Sequence, residues 1–114
     1  MLKQNVLSGK HNFDYVYKRG RSVGHKYVVI FYKKNGLSYN RLGFLASKKV
    51  GNAVMRNRAR RLMKESVRLI GDFNFTGYDI IFIARNTIKK NTKCADVKKS
   101  IEAAIRKTAM YKKK

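Results

Sequence analysis

The spacing of apolar positions divides the chain into short segments of helical or strand character. Phe13, Val16 and Tyr17 recur at i, i+3 and i+4, which predicts a helix over 10–19 with Ser8 as its N-cap and Gly20 as its stop. "KYVVIFYKK" (26–34) is β-branched and aromatic and predicts a strand, after which "NG" at 35–36 starts a turn or loop. "RLGFLASKK" (41–49) predicts a second long strand, and "NAVMRNRARRLMKESVRLI" (52–70) a helix. Beyond a loop at 71–77, "YDIIFIAR" (78–85) is almost continuously apolar, the pattern of a central strand buried on both faces. A loop over 86–92 leads to a last helix over about 93–111, with Val97, Ile101, Ala104, Ile105 and Thr108 on one face. The order is α-β-β-α-β-α, with room for a short extra strand near 20–24. It predicts an α+β fold, a two-layer sandwich with helices packed on one side of a small mixed sheet of about four strands. With 114 residues and no proline, the chain reads as a single domain, 1–114, ending in a loose basic tail, "YKKK" at 111–114.

Charge changes the picture of the helix over 52–70. A step of about 100° per residue from Ala53 puts Met55, Ala59, Leu62, Met63, Ser66, Leu69 and Ile70 in one arc, the predicted core face. Asn57, Arg60, Arg61, Lys64 and Arg68 fall in the opposing arc, and Arg56 and Arg58 flank the core arc on either side. A helix face that only solvates a protein mixes acids and bases that pair at i, i+4. This face carries one acid, Glu65, and repels itself. Arg outnumbers Lys on it, and the planar guanidinium fork matches phosphate oxygens. Just before the helix stand Lys48 and Lys49, then the turn Gly51–Asn52. A glycine turn opening onto free helix N–H groups is itself suited to an anion.

The whole chain shares this bias: 28 Lys and Arg against 6 Asp and Glu, a formal charge of +22 and a pI near 10.6. Such a field is relieved by an anionic partner, which is nucleic acid, an anionic membrane surface or an acidic protein. The sequence contains no apolar run long enough to span a bilayer, and "MLKQNVLSGKHNF" lacks the apolar core of a signal peptide. No membrane partner and a cytoplasmic location are therefore expected. The six acids, Asp14, Glu65, Asp72, Asp79, Asp96 and Glu102, are scattered, whereas a metal-dependent nuclease site needs convergent carboxylates. His11 and His25 lie far apart in basic surroundings and read as surface or RNA-facing residues. The single Cys94 has no disulfide partner and reads as a small residue on a buried helix face. No catalytic residue and no metal ligand is expected in the protein; a binding role is.

The segment from Lys48 to Glu65 resembles the protein component of bacterial ribonuclease P, whose signature is a "KK-x-GNAV-x-RN-x" lead-in followed by basic residues on the same helix. Lys48, Lys49, Gly51, Asn52, Ala53, Val54, Arg56, Asn57, Arg58, Arg60, Arg61 and Lys64–Glu65 stand at the matching places. The likeness extends to "F-x-x-V-Y-x-x-G" (13–20), "YVVIFY" (27–32), "RLGFLASKK" and "YDIIFIAR". The resemblance implies a left-handed βαβ crossover, an exception to the usual handedness. It also implies a ribonucleoprotein enzyme in which an RNA subunit, working with Mg2+ held mainly by RNA and substrate, removes the 5′ leader of precursor tRNA. The partners implied are that catalytic RNA and the precursor tRNA, with no further protein required. Contact with the catalytic RNA falls to Lys48, Lys49, Asn52, Arg56, Asn57, Arg58, Arg60, Arg61, Lys64 and Arg68. A leader cleft between the first helix and the sheet falls to Phe13, Tyr17 and Phe31, aromatics on which unpaired bases can stack. On burial statistics alone, those three rings read as core.

Two other classes share the size and charge: a ribosomal-type structural RNA binder, and an architectural DNA binder. The second usually brings apolar wedges on exposed arms and a dimer seam, which this sequence lacks. The GNAV-x-RNR lead-in together with an aromatic first helix favours the ribonuclease P reading over the first. Composition does not separate RNA from DNA, and any protein this basic binds any polyanion at low salt. In competition at moderate salt, structured RNA is expected to displace duplex DNA of equal charge from this chain; equal competition would remove the RNA-specific readings.

Overall fold

The computed structural model of the chain describes residues 5–112. In order it forms α1 (Lys10–Arg19), β1 (Arg21–Gly24), β2 (Val28–Lys34), β3 (Arg41–Ala46), α2 (Ala53–Ile70), β4 (Tyr78–Ala84) and α3 (Cys94–Arg106). The four strands make one sheet in the order β1-β2-β4-β3, with β3 and β4 parallel and the other pairs antiparallel. The α+β class, the mixed sheet and the short strand after α1 agree with the sequence pattern.

β4 is the middle of the structure. Ile80, Phe82 and Ala84 point to one face of the sheet and Ile81 and Ile83 to the other, as a two-residue period requires. On the first face they join Val28, Ile30 and Tyr32 of β2 and Leu42 of β3, all covered by α2 and α3. Phe44 stacks on Phe82 at 5.1 Å between centroids. Ala59, Met63, Ser66 and Val67 of α2 and Val97, Ser100, Ile101, Ala104 and Ile105 of α3 close this core. Each fully buried Ile, Phe or Met there contributes about 1.5–3 kcal/mol of apolar burial.

Five expectations are corrected. The helices do not all lie on one side: α1 packs on the second face, with Val16 buried against Ile81. β4 is apolar on both faces, so both need a cover. Leu69 is 51% exposed, and Val67 takes its place in the core. The buried arc of α2 centres on Ala59, Met63 and Val67, which leaves Leu69 at its edge. Ser8 is not the N-cap of α1; Gly9 holds that position at φ +88°, while Ser8 offers its carbonyl to the Asn12 side chain at 2.8 Å. The last helix stops at Arg106, because Lys107 and Thr108 turn back with i→i−3 bonds to Ala104 and Ile105. Beyond that turn, the predicted loose tail is pinned as far as it is described: Asn74 exchanges two hydrogen bonds with the Lys112 backbone. The rest of the tail lies outside the described residues.

The hand of the β3–α2–β4 connection follows from chirality. Leu42 turns its side chain toward α2 and its carbonyl outward, to the N–H of Leu7 at 2.8 Å. Seen from the helix side with the strand running up, an L-residue whose side chain faces the viewer directs its N–H and C=O to the right. The outer edge of β3 is thus on the right and β4 on its left. The crossover steps left beneath the helix and is left-handed, against the usual rule.

One end of the second sheet face is closed by charge. Arg41 grips Asp79 through two hydrogen bonds, Nε at 2.7 Å and Nη2 at 2.6 Å, and Asn35 adds a third at 3.0 Å. Asp79 is only 6% exposed, so the carboxylate depends on these donors. Arg41→Met is expected to cost about 2–3 kcal/mol by leaving that charge short of partners. The cost should show as a lower urea midpoint at unchanged slope; a loss below about 0.5 kcal/mol would mean that Asn35 alone satisfies Asp79.

Candidate nucleic-acid interface

Two surfaces carry the chemistry, one on each side of the sheet. The first is the outer face of α2. Asn57, Arg61, Lys64 and Arg68 are exposed there, and Arg60 is half-buried at its margin. Among the described residues, Arg61 and Lys64 make no side-chain hydrogen bond, so their donors are free for an anion. Arg60 donates to the Asn57 side-chain Oδ1, which holds the two as a pair. Arg68 forks onto Glu65, and this ion pair holds the Glu65 carboxyl below its ordinary range and Arg68 above its own. Arg58 is turned inward: its Nη2 donates to the Thr92 carbonyl at 2.9 Å, tying α2 to the loop before α3. Val54, at 71% exposure, is an apolar member of this surface that charge counting overlooks.

The lead-in is tighter than the sequence suggests. β3 ends at Ala46, not at residue 49, because Ser47 and Lys48 accept hydrogen bonds from Val50 and Gly51 in a compact turn. Val50 is buried and anchors that turn, which leaves Lys48 and Lys49 exposed at its tip. The Asn52 side chain caps the helix by accepting from Met55 N–H at 3.0 Å, so one of the free N–H donors expected there is already used.

The second surface lies between α1 and the sheet, and here the rows of the sheet decide the layout. Lys33, Asp79 and Arg41 form a charged row. Phe31, Ile81 and Gly43 form the next, and Val29, Ile83 and Leu45 the one after. α1 lies across the middle row. Phe13 sits on Gly43, Val16 packs with Ile81, and Tyr17 meets Phe31 edge-on at 5.0 Å. The structure therefore brings Phe13, Tyr17 and Phe31 together, each half-buried. The third row is half-buried, an apolar strip beside the three rings, with Leu45 and Ile83 packed against the Leu7, Val16 and Ile81 cluster. Leu45 and Ile83 were not singled out as site residues; their alternation with Phe44 and Phe82 was the available signal. Burial, and then the nearby Asp14, push the Tyr17 phenol above its ordinary pKa. Tyr15, on the outer side of α1, lies within 6.0 Å of both Arg19 and Lys33.

The remaining candidate groups go elsewhere. His25 is half-buried and bonded through Nδ1 to Ser100 Oγ at 2.9 Å, so it braces β1 and β2 against α3 rather than facing solvent; His11 is exposed. Cys94 opens α3, half-buried, with Sγ 3.5 Å from Ser66 Oγ. Glu65, Asp79 and Glu102 are each paired with a cation. Among the described residues, no three His, Cys, Asp or Glu side chains stand close enough together to hold a metal.

A cationic helix face on one side of a sheet and a cluster of half-buried rings on the other mark a class, a small α+β protein suited to a polyanion. Known proteins narrow it further. The family model "Ribonuclease P" matches residues 1–109. The ribonuclease P protein component of Alkaliphilus metalliredigens is 46% identical over 105 residues, 92% of this chain and 90% of its own. That of Caldanaerobacter subterraneus subsp. tengcongensis is 40% identical, covering 98% of this chain and 96% of its own. Among solved structures, the Staphylococcus aureus RNase P protein superposes with a TM-score of 0.81 at 28% identity, over 95% of this chain and 98% of that one. The Thermotoga maritima RNase P protein gives 0.79 at 28% identity, over 91% and 98%. The chain belongs to the ribonuclease P protein component family and serves in tRNA 5′-leader processing as the protein subunit of that ribonucleoprotein.

Gly43 is what lets α1 come down on the sheet. A Cβ at that position would lie 2.7 Å from Phe13 Cε1 and 2.9 Å from Cζ. Gly43→Ala is expected to cost about 1–2 kcal/mol and to swing the Phe13 ring off the sheet, with Phe13 ring proton shifts as the readout. Unchanged shifts with full stability would mean that Phe13 is not held by this contact.

Proposed function

We propose that this subunit bridges two RNAs. The outer side of α2 and its lead-in dock on the catalytic RNA through Lys48, Lys49, Arg56, Asn57, Arg60, Arg61, Lys64 and Arg68, with Asn52 and Arg58 holding the helix in place beneath them. The cleft at Phe13, Tyr17 and Phe31, floored by Val29, Ile83 and Leu45, receives the single-stranded 5′ leader of precursor tRNA. The observation that carries this reading is the placement of α1 and α2 on opposite faces of one sheet, which lets both RNAs be held at once in fixed relation. Within the stripe the roles divide: Arg61 and Lys64 meet phosphates, Arg58 and Asn52 hold the helix in place, and Arg68 acts with Glu65. Bases stack on the half-buried rings at about 1–3 kcal/mol each.

Catalysis belongs to the RNA subunit. Among the described residues, no three His, Cys, Asp or Glu converge, and Glu65, Asp79 and Glu102 each face a cation, which supports this reading. Mg2+ is then held by the RNA subunit and the substrate, where it supplies charge stabilisation at the cleaved phosphate. The protein lends affinity for substrate and positive charge that lowers the demand for free cations. A cytoplasmic site of action accords with a tRNA substrate; among the described residues, no helix is long and apolar enough to cross a membrane.

The test is leader removal from a precursor tRNA by bacterial ribonuclease P RNA at low Mg2+, with and without the chain. Strong activation is expected, with no cleavage by the protein alone. Failure to activate, by a folded sample that binds RNA, would overturn the reading in favour of a structural RNA binder. In the same system Phe13→Ala, Tyr17→Ala and Phe31→Ala should each weaken binding of leader-bearing precursor more than of mature tRNA; equal losses on both ligands would assign the rings to the core.

A further inference from the structure

A second recess, separate from the leader cleft, opens at the C-terminal half of α2. It is a groove of about 930 Å3 between that helix, the loop before β3 and the loop before β4. This volume lies within the range of roughly 300–1,000 Å3 typical of small-ligand pockets. Its walls are unlike the stripe beside it. Tyr39, Leu42, Val67 and Phe73 make them apolar, with both rings half-buried and so partly open to the groove. Phe73 is backed by Phe75, the two rings parallel within 4° at 5.1 Å. The loop carrying them is itself fixed: Asn40 donates to the Phe75 carbonyl at 2.9 Å and accepts from Tyr78 N–H at 3.0 Å. The platform is thus held in place before any ligand arrives.

The rim joins the groove to the stripe, since Arg61 and Lys64 line both. Its acids speak to the occupant. The exposed Asp72 borders the groove and, among the described residues, has no cationic partner, while Glu65 is engaged by Arg68. A carboxylate repels phosphate but accepts hydrogen bonds from the amino and imino groups of a base edge. Asn5 also lines the groove.

We propose that this groove seats one unpaired base of the RNA on which α2 docks. The base enters between Tyr39 and Phe73, its phosphates rest on Arg61 and Lys64, and its edge donates to Asp72. The inference builds on the docking role proposed for α2. It adds a base-specific, salt-insensitive contact to a helix otherwise suited only to phosphates.

The experiment titrates ribonuclease P RNA with wild-type protein, Tyr39→Ala, Phe73→Leu and Arg61→Ala over a range of salt. Phe73→Leu keeps apolar packing on Phe75, and Tyr39→Ala keeps the test alive if that variant folds poorly. The ring variants are expected to lose about five-fold to a hundred-fold in affinity at an unchanged salt slope. Arg61→Ala should instead lower the slope by about one unit. In the complex, one nucleotide should be protected from a base-modifying reagent, and the ring variants should restore its reactivity. If the ring variants bind like wild type while Arg61→Ala loses slope, the groove proposal is overturned and α2 docking stands. If neither class of variant changes binding, both fall.

Discussion

β4 is apolar on both faces, and the rest of the molecule is arranged to cover it. A strand with Ile80, Phe82 and Ala84 on one side and Ile81 and Ile83 on the other cannot lie at an edge or face water. It takes β2 and β3 as neighbours, α2 and α3 as one cover and α1 as the other. Because the covers are unequal, the two faces end differently. α2 and α3 close their side. α1, only ten residues long, covers one row of the other and leaves the next half-open.

The second constraint is charge. A chain at +22 repels itself, so its cations must stand on faces that the core does not need. α2 meets this by turning Ala59, Met63, Ser66 and Val67 inward, which aims Arg61 and Lys64 outward. A few cations are instead drawn into the structure: Arg41 onto Asp79, Arg58 onto the Thr92 carbonyl, Arg85 onto the His25 carbonyl. This division separates cations engaged within the fold from Arg61 and Lys64, whose donors make no side-chain hydrogen bond among the described residues.

Backbone approach sets the fine geometry on the α1 side. Gly20 ends α1 where a Cβ would lie 2.5 Å from the Tyr32 carbonyl, and Gly43 lies directly under the Phe13 ring. Two glycines thus bring α1 down on β2 and β3, close enough for Tyr17 to meet Phe31 and for Phe13 to rest on the sheet. The rings are half-buried for that reason: one side packs, the other borders the open row. Each ring packs on one side and keeps part of its surface accessible on the other.

What the sequence determined by itself was periodic or compositional. Alternation and continuous apolar runs located the strands, and the 3.6-residue rhythm located three helices and put the cations of α2 on one face. The spacing of the GNAV-x-RNR segment pointed to its family. These properties are local, so neighbours along the chain suffice to reveal them. What only the tertiary structure decided was relational. Placement of α1 on the opposite face depends on which side of β4 was still bare. The exposure of Leu69 and the burial of Val67 depend on which arc of α2 the core covers. The inward turn of Arg58 and the use of His25 as a brace depend on Thr92 and Ser100, partners 34 and 75 residues away. The groove at Tyr39 and Phe73 is formed by two loops and a helix that no local pattern connects. Periodicity reports which side of an element is apolar; only packing decides what that side meets.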